Sequence, residues 1–302
     1  MKFLVFLLVA VSLHAQDGSP SAAQIVTYWE PGDSHSYNLE MGTKMALTAG
    51  TSESFTSYRI LVEVLDWDDS GYLVQWTYTD AKPSDNASDF ERRIVEINEG
   101  LAVRYHITDL GEFTGVENFE EIATWTTDAA VRILDEFAGD PNVRSSLETV
   151  LNAFESKEAF ERLAMEEIKF YHMLHGYSYL ADDPLIVEGN VENPFGGSPI
   201  LAKTTVKLAE INNEHETAYL VYTRTFDAAA LNRALYEAMN GYIPNDELTP
   251  EQTATLPVFN IEMKKQFIFH TASGWLLEAY SERFAQTENE SRIDTIYIEF
   301  LE

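Results

Sequence analysis

The sequence of 302 residues contains no cysteine. Disulfide bonds are therefore excluded, even in an oxidising compartment. A lipid anchor of the bacterial type is also excluded, because that lipid is attached to a cysteine at the mature N-terminus. The fold must be held together by its apolar core. With 45% hydrophobic residues, the chain is long enough to build one large domain or two smaller ones.

Basic residues are scarce. Lysine and arginine number 20 against 50 aspartates and glutamates, which gives a formal net charge of −30. Such a surface repels nucleic-acid phosphates and anionic lipid headgroups. We therefore expect no nucleic-acid partner. The acidic residues are spread along the chain, which is typical of a solvated surface that favours solubility.

Long apolar runs are also rare, and the one that stands out is at the start, in MKFLVFLLVAVSLHAQ. The run from Phe3 to Leu13 follows Lys2 and is too short to span a bilayer, which takes about 20 residues. The small residue Ala15 suits the position before a cleavage site. We predict a signal peptide over residues 1–15, cleaved before Gln16. The mature protein would be exported, periplasmic or extracellular, without a lipid anchor or a transmembrane segment.

Two strands with alternating apolar residues are predicted at Tyr58–Asp66 and Tyr72–Asp80. The stretch DWDDSGY between them carries acidic residues and a glycine, as the front of a calcium loop does. Such a loop needs a bidentate acid at its twelfth position, and Thr77 stands there. The composition of Asp, Ser and Gly instead predicts a tight turn.

Further along, the patterns predict both strands and helices. An amphipathic helix is expected over Asn118–Phe137, with Glu121 completing a capping box, and a second over Ser146–His175, with a break near Ser156. Asp227 is expected to cap a short helix. The remaining predicted strands are Glu91–Asn98, Leu101–Thr108, Ile200–Ile211, Glu216–Phe226, Phe259–His270, Gly274–Glu282 and Arg292–Leu301.

These elements predict an α+β protein of antiparallel, curved β-sheets, with two long helices between two β-rich halves. We expect a flexible N-terminus at residues 16–24, a first half at 25–178, a linker at 179–199 and a second half at 200–302. The two halves contain similar strand sequences, YLVQWTYTD ending at Asp80 and YLVYTRTFD ending at Asp227. We call this similarity the sequence echo. The echo indicates either a duplication or a coincidence, because strands draw on few residue types.

No motif for catalysis, cofactor binding or metal binding is evident. His172 and His175 lie three residues apart on the predicted second helix, but no carboxylate joins them one turn earlier, so a histidine pair interacting with the helix dipole is the simpler interpretation. His106 and His270 fit polar positions beside turns. Acidic pairs such as Glu166-Glu167 are expected by chance among 50 acids. We therefore predict no catalytic, cofactor or metal residues, and favour a protein that is not an enzyme.

The predicted signal, the YLVQWTYTD strand behind an acidic hairpin, and the GEFTGVENFEEI passage from strand to helix resemble exported bacterial envelope proteins. Helices over a curved antiparallel sheet are also similar in architecture to the periplasmic lipoprotein carriers. This second resemblance implies a shape and transfers no functional residue.

Three functions fit these expectations. The first is a soluble exported binding protein for an apolar or amphipathic small molecule, held in a cleft between the sheet and the helices at 118–175. The second is an envelope or extracellular interaction protein without a pocket. The third is a hydrolase with a dispersed acidic site. A large apolar cavity would favour the first, a solid core with an exposed aromatic patch the second, and two carboxyl groups facing across a cleft the third.

Overall fold

The computed structural model describes residues 22–48, 50–137, 141–152, 154, 156–193, 198–242, 260–287 and 290–301. The predicted signal peptide and the loop around Pro250 lie outside these residues. The first part of the chain contains β1 (Ala22–Ile25), β2 (Ser34–Leu47), β3 (Gly50–Asp68), β4 (Gly71–Pro83), α1 (Asp89–Glu96), β5 (Ala102–Ile107), β6 (Phe113–Val116), α2 (Phe119–Glu136), α3 (Pro141–Asn152), α4 (Lys157–Leu163) and α5 (Glu166–His172).

The second part contains β7 (Tyr177–Leu180), β8 (Leu185–Val191), β9 (Ile200–Asn212), β10 (Thr217–Phe226), α6 (Ala228–Tyr242), β11 (Asn260–His270), β12 (Leu276–Gln286) and β13 (Ser291–Leu301). Every strand pair is antiparallel, which confirms the predicted α+β class. No helix in the described ranges combines the length and the apolarity needed to cross a membrane.

Within the described ranges, eleven strands form one continuous, curved and open sheet, in the order β6-β5-β4-β3-β2-β13-β12-β11-β10-β9-β8. The sheet contains two sets of five strands, and within each set the strands lie side by side in the order in which they occur in the sequence. The first set is β2–β6, the second set is β8–β12, and β13 lies between them. A helix also follows the third strand of each set, α1 after β4 and α6 after β10. The topology therefore repeats, and β1 pairs with β7 in a separate small sheet.

The sequence echo does not follow this structural repeat. Val74 and Trp76 in β4 point into the core, whereas the residues that the echo aligns with them, Val221 and Thr223 in β10, lie on the opposite face from the buried Leu220. Side chains alternate along a strand, so an alignment offset by an odd number of residues reverses every face. The shared YLV letters are thus not equivalent positions in the two sets.

The inner face of the sheet, defined as the face covered by α5, carries the main core. Tyr37 on β2 contacts Tyr171 on α5 through a hydroxyl–hydroxyl hydrogen bond of 2.9 Å, and the rings of Phe170 on α5 and Phe267 on β11 lie 5.0 Å apart. One apolar cluster includes buried residues of both strand sets and of α5. The helix therefore packs against strands of both sets.

The predicted strand at Glu91–Asn98 is wrong, because α1 occupies most of it. Ser88 caps this helix: its Oγ accepts a hydrogen bond from the Glu91 N–H at 3.2 Å, and the Glu91 carboxylate accepts one from the Ser88 N–H at 2.7 Å. This capping box satisfies two N–H groups at the start of the helix. Val95 is buried in the main core.

The long predicted helix over Ser146–His175 is divided into α3, α4 and α5. The expected break near Ser156 is confirmed, since Ser156 Oγ caps α4 by accepting a hydrogen bond from the Ala159 N–H at 3.1 Å. A second break, at Ala164-Met165, was not predicted. Pro141 is the first residue of α3, where its missing N–H costs nothing.

Two segments expected to be irregular contain strands. Residues 22–24 of the expected flexible N-terminus belong to β1, and the stretch LIVEGNV in the expected linker forms β8, paired with β9. Residues 194–197 of that linker lie outside the described residues. The turn predicted from DWDDSGY is confirmed, because β3 ends at Asp68 and β4 begins at Gly71.

Candidate functional site

A cavity of about 670 Å³ lies between the first strand set and the helices. Its floor is formed by the inner face of β2, β3 and β4, and its cover by residues from α1, α2 and the region of α4 and α5. It falls in the expected cleft between the sheet and the helices at 118–175. Its volume is within the range of small-molecule sites, about 300–1,000 Å³.

The walls of this cavity are mainly apolar. The apolar lining residues are Met41, Phe55, Ile94, Val95, Ile97, Leu101, Val103, Phe154, Phe160 and Ala164. An adjoining cavity of about 550 Å³, nearer the N-terminal end of α1, shares six lining residues with it, namely Thr43, Ser54, Phe55, Thr56, Ile94 and Val95. The shared residues show that the two spaces adjoin along β2 and β3.

One wall of the first cavity is polar. Glu167, the second residue of α5, accepts a short hydrogen bond from the hydroxyl of Tyr78 on β4. Burial raises the pKa of Glu167, although the bond from Tyr78 acts in the opposite direction. Next to this pair, burial raises the pKa of Tyr58 to about 12, and its hydroxyl lies 3.4 Å from the Asn98 amide nitrogen. These groups can give or accept hydrogen bonds in a mainly apolar space.

Glu167 is the one carboxylate among the described residues that line the first cavity, so it has no second acid facing it. Glu166, its neighbour in the sequence, is exposed. Among the described residues, no group of three His, Asp or Glu side chains is placed to hold a metal ion.

His172 and His175 are buried at the end of α5 and in the turn that follows it. His172 Nδ1 donates a hydrogen bond to the carbonyl of Gly111 at 3.0 Å, and its Nε2 accepts one from the Tyr105 hydroxyl at 3.0 Å. His175 Nε2 donates to the carbonyl of Gly274 at 2.8 Å. Burial lowers the pKa of His172 well below its ordinary value, and that of His175 to about 4.

The dipole interpretation of this pair is therefore wrong. A favourable interaction with the carboxyl end of a helix requires a charged imidazolium, whereas both rings are held neutral by burial. Each ring instead forms a hydrogen bond that connects the helical segment to a hairpin loop, one loop from each strand set. The structural role of this pair could not be predicted from spacing alone.

The other sequence candidates stay apart. His106 is exposed, and His270 lies 2.7 Å from Ser273 Oγ and 3.6 Å from Glu216. Another of the acidic pairs, Asp182 and Asp183, is exposed in the turn before β8. Among the aromatic residues, Trp29, Trp76 and Trp275 are buried in the core, whereas Tyr28 and Trp67 are exposed. Sequence reasoning missed Glu167, because nothing in its local pattern distinguishes it from Glu166.

The fold and this site together define an α+β protein with a helix-covered apolar cavity on an open antiparallel sheet. Comparison with solved structures finds partial likenesses. A chain described for lipid–protein interactions in lipovitellin matches at a TM-score of 0.46 and 10% identity, over 90% of this chain and 25% of that chain. This chain therefore spans about a quarter of the length of that lipovitellin chain.

A second solved structure, an outer membrane lipoprotein-sorting domain from Vibrio parahaemolyticus, matches at a TM-score of 0.19 and 10% identity, over 89% of this chain and 87% of that one. At TM-scores this low, neither likeness defines the fold or the function of this chain. No known protein family and no curated protein matches the sequence.

Proposed function

We propose that this protein is an exported, non-catalytic binding protein for an apolar or amphipathic small molecule. The observation that carries the proposal is the cavity of about 670 Å³ between β2–β4 and the helices. Its apolar walls can pack against the apolar part of a ligand. The pair Tyr78–Glu167 offers one place for a polar end that can exchange hydrogen bonds.

The proposal is tested with the neutral apolar dye N-phenyl-1-naphthylamine, whose fluorescence rises in apolar surroundings. Ala164 lines the cavity, so the substitution Ala164→Trp would fill part of it. Ala229, on the exposed face at the start of α6, provides the matched control Ala229→Trp. We expect wild type and Ala229→Trp to bind the dye alike, and Ala164→Trp to bind it at least roughly tenfold more weakly, a loss of about 1.4 kcal/mol. Equal binding by all three folded proteins, or none by wild type, would contradict the proposal.

Export rests on the predicted signal peptide. Sequencing the N-terminus of the protein purified from its native host tests it, and we expect the mature chain to start at Gln16 or within a residue or so of it. A mature protein that still begins at Met1 and remains in the cytoplasm would contradict export. It would leave the binding function untouched, because the cavity does not involve these residues.

A second candidate function, an interaction protein that works through its surface, is favoured by a different feature. Strand β8 is an edge of the sheet and exposes Leu185, Ile186 and Val187. An exposed apolar edge strand is a ready site for pairing with another chain. The cavity supports the first function over this one. If the dye does not bind wild type, pull-down with the variant Ile186→Lys as control becomes the deciding experiment.

A further inference from the structure

A basic cluster lies on the inner face of the second strand set, away from the cavity. It consists of Arg224 on β10, Lys265 on β11 and Arg283 on β12. Met263 on β11 is opposite Arg224 on one side and opposite Arg283 on the other, and Lys265 is two residues along the same strand. Such diagonal neighbours lie about 7–8 Å apart, within reach of long side chains. All three side chains are only partly buried, so a solute can reach them.

The charges of this cluster are only partly balanced by acids. Arg283 donates to Asp294 at 2.9 Å, and Asp294 also pairs with Arg292 at 2.8 Å. Arg224 Nε donates to the neutral Thr204 hydroxyl at 3.0 Å. Neither Arg224 nor Lys265 forms an ion pair with a carboxylate among the described residues. An excess of positive charge in a chain with a net charge of −30 is unusual.

The surroundings of Lys265 are apolar and aromatic. Its ammonium lies 3.6 Å from the sulfur of Met173, 4.9 Å from the centroid of the Phe170 ring and 5.8 Å from that of Tyr222. The guanidinium of Arg224 lies 5.5 Å from the Tyr222 ring. The cluster therefore combines unpaired cations with apolar surface, as a site for an organic anion does.

We propose that this basic cluster binds the oxyanion group of an organic ligand, a phosphate ester or a carboxylate. Arg224 and Lys265 contact its oxygens, and the half-buried Met173 packs against its apolar part. The buried rings of Phe170 and Tyr222 support the ammonium of Lys265 from the core side. The guanidinium of Arg224 presents a planar fork of N–H donors that suits either group, and Arg283 adds positive charge beside it. The site is separate from the first cavity, because Glu167 faces that cavity while Phe170 and Met173 face Lys265.

The protonation of Lys265 agrees with an anion site. Burial, together with repulsion from Arg224 and Arg283, lowers the pKa of Lys265 to about 8, although Glu166 on α5 acts in the opposite direction. The other side chains facing its ammonium, Tyr222, Phe170 and Met173, are uncharged. A bound anion would offset the repulsion and favour the protonated amine. We therefore expect anion binding to weaken as the pH rises through 8.

The experiment is calorimetric titration of wild type and of Lys265→Met with dodecyl phosphate, inorganic phosphate and the neutral amphiphile monolaurin, below micelle concentrations. Lys264→Met is the matched control, since Lys264 is the next residue on β11 and is exposed on the other face. We expect dodecyl phosphate to bind wild type and Lys264→Met alike and Lys265→Met at least roughly tenfold more weakly, because a charge-assisted hydrogen bond is lost. Monolaurin should bind all three alike.

The two anionic ligands distinguish the source of the oxyanion. Comparable affinity for inorganic phosphate would indicate a site for free phosphate, and binding of dodecyl phosphate alone would indicate the headgroup of an amphiphile. Equal binding of both anions by wild type and Lys265→Met, or no binding by wild type, would overturn the proposal. Arg224→Gln repeats the test and decides it if Lys265→Met does not fold.

Binding at the basic cluster and binding in the cavity can be tested independently of each other. Ala164→Trp is expected to lose the neutral dye and keep dodecyl phosphate, and Lys265→Met is expected to show the reverse. Loss of both ligands in either variant would show that the two sites are one, and would overturn the separation made here.

Discussion

The imidazole of His175 donates a hydrogen bond from Nε2 to the carbonyl oxygen of Gly274, across 2.8 Å. His172, three residues earlier, makes the corresponding bond to Gly111 at 3.0 Å. Gly111 lies between β5 and β6, and Gly274 lies between β11 and β12, which are equivalent connections in the two strand sets. The end of the helical segment is therefore bonded to both halves of the repeated topology.

The first prediction concerns the stability of the protein in acid. Because burial holds the pKa of His175 at about 4, the unfolded chain takes up a proton between pH 6.5 and about 4 that the folded chain does not. Stability therefore falls as the pH decreases through this window, and His172 adds to the effect in the same direction. From this shift we expect His175 alone to cost about 2 kcal/mol between pH 7 and pH 5.

The measurement is urea unfolding at pH 7 and pH 5 for wild type and for His175→Gln, whose amide can still donate to Gly274. The variant should lose most of that difference. His215→Gln, at an exposed histidine, should keep it. An unchanged pH dependence in His175→Gln would show that His175 is not held neutral by the fold.

The second prediction concerns the carboxyl group in the cavity. Burial raises the pKa of Glu167, so the folded protein keeps its proton to a higher pH than the unfolded chain. Stability from this group is present at low pH and is lost as the pH rises through the folded pKa. Glu167→Gln should therefore gain stability relative to wild type between pH 4 and pH 8. Glu166→Gln, one residue away and exposed, should show no such trend, and a similar trend in both variants would contradict the prediction.

The third prediction concerns the tryptophan pair that packs across the two strand sets. Trp29, which precedes β2, stacks on Trp275, which precedes β12, with ring centroids 3.9 Å apart and an angle of 12° between the planes. Both are buried. We expect Trp275→Ala to lower the free energy of unfolding by about 3–5 kcal/mol, through lost burial and the cavity it leaves.

Trp67→Ala is the control for this pair, because Trp67 is 52% exposed. We expect it to cost less than about 1 kcal/mol. Chemical unfolding followed by circular dichroism measures both variants. A loss for Trp275→Ala no larger than that for Trp67→Ala would mean that the stacked pair does not belong to a shared core.

The fourth prediction concerns Gly274, whose φ of +76° lies in the left-handed region. A Cβ at this position would come within 1.9 Å of the carbonyl oxygen of Val26, in the segment between β1 and β2. Gly32 has a similar φ of +96°, but its Cβ would meet nothing within 4 Å. Gly32→Ala should cost about 1–2 kcal/mol from backbone strain alone.

We expect Gly274→Ala to cost roughly 2 kcal/mol more than Gly32→Ala, because the backbone of the Val26 segment must move as well. The difference in midpoint of thermal unfolding between the two variants measures this. Equal losses would show that the segment before β2 moves freely away from the hairpin loop.

Much of the sheet could be predicted from the sequence, because one face of it is buried and the other is not. In β4, Val74, Trp76 and Tyr78 face the core while Gln75 and Thr77 face outward, which produces the alternation that marks a strand. The turn at DWDDSGY could also be predicted, since Asp, Ser and Gly fit tight turns and Thr77, at the twelfth position, has no carboxylate to bind calcium through two oxygens.

Helix α1 was missed because its residues permit two interpretations. Ile94, Val95 and Ile97 are β-branched and suggest a strand. The decisive signal, Ser88 three residues before Glu91, was present in the sequence and outweighs them in the fold. The equivalent positions of the two strand sets could not be predicted, because similar sequences in two strands do not show which face of the sheet each residue occupies.

The candidate sites were the least predictable part, since they are made by tertiary contacts. Glu167 reaches Tyr78 across 89 positions of sequence, and Lys265 reaches Met173 across 92. Locally, Glu167 is one of two adjacent acids and Lys265 one of two adjacent lysines. Only the packing of α5 against the sheet distinguishes the half-buried member of each pair from its exposed neighbour.

The position of β13 has a consequence for the order in which the molecule can be assembled. This strand joins β2 to β12 at the seam between the strand sets, and it follows every other described strand in the chain. During synthesis the two sets can each form their own hairpins, but they cannot be joined into one sheet until β13 has left the ribosome. The complete sheet therefore forms only after β13 has been synthesised, and a chain paused short of residue 291 would have two unpaired strand edges at β2 and β12.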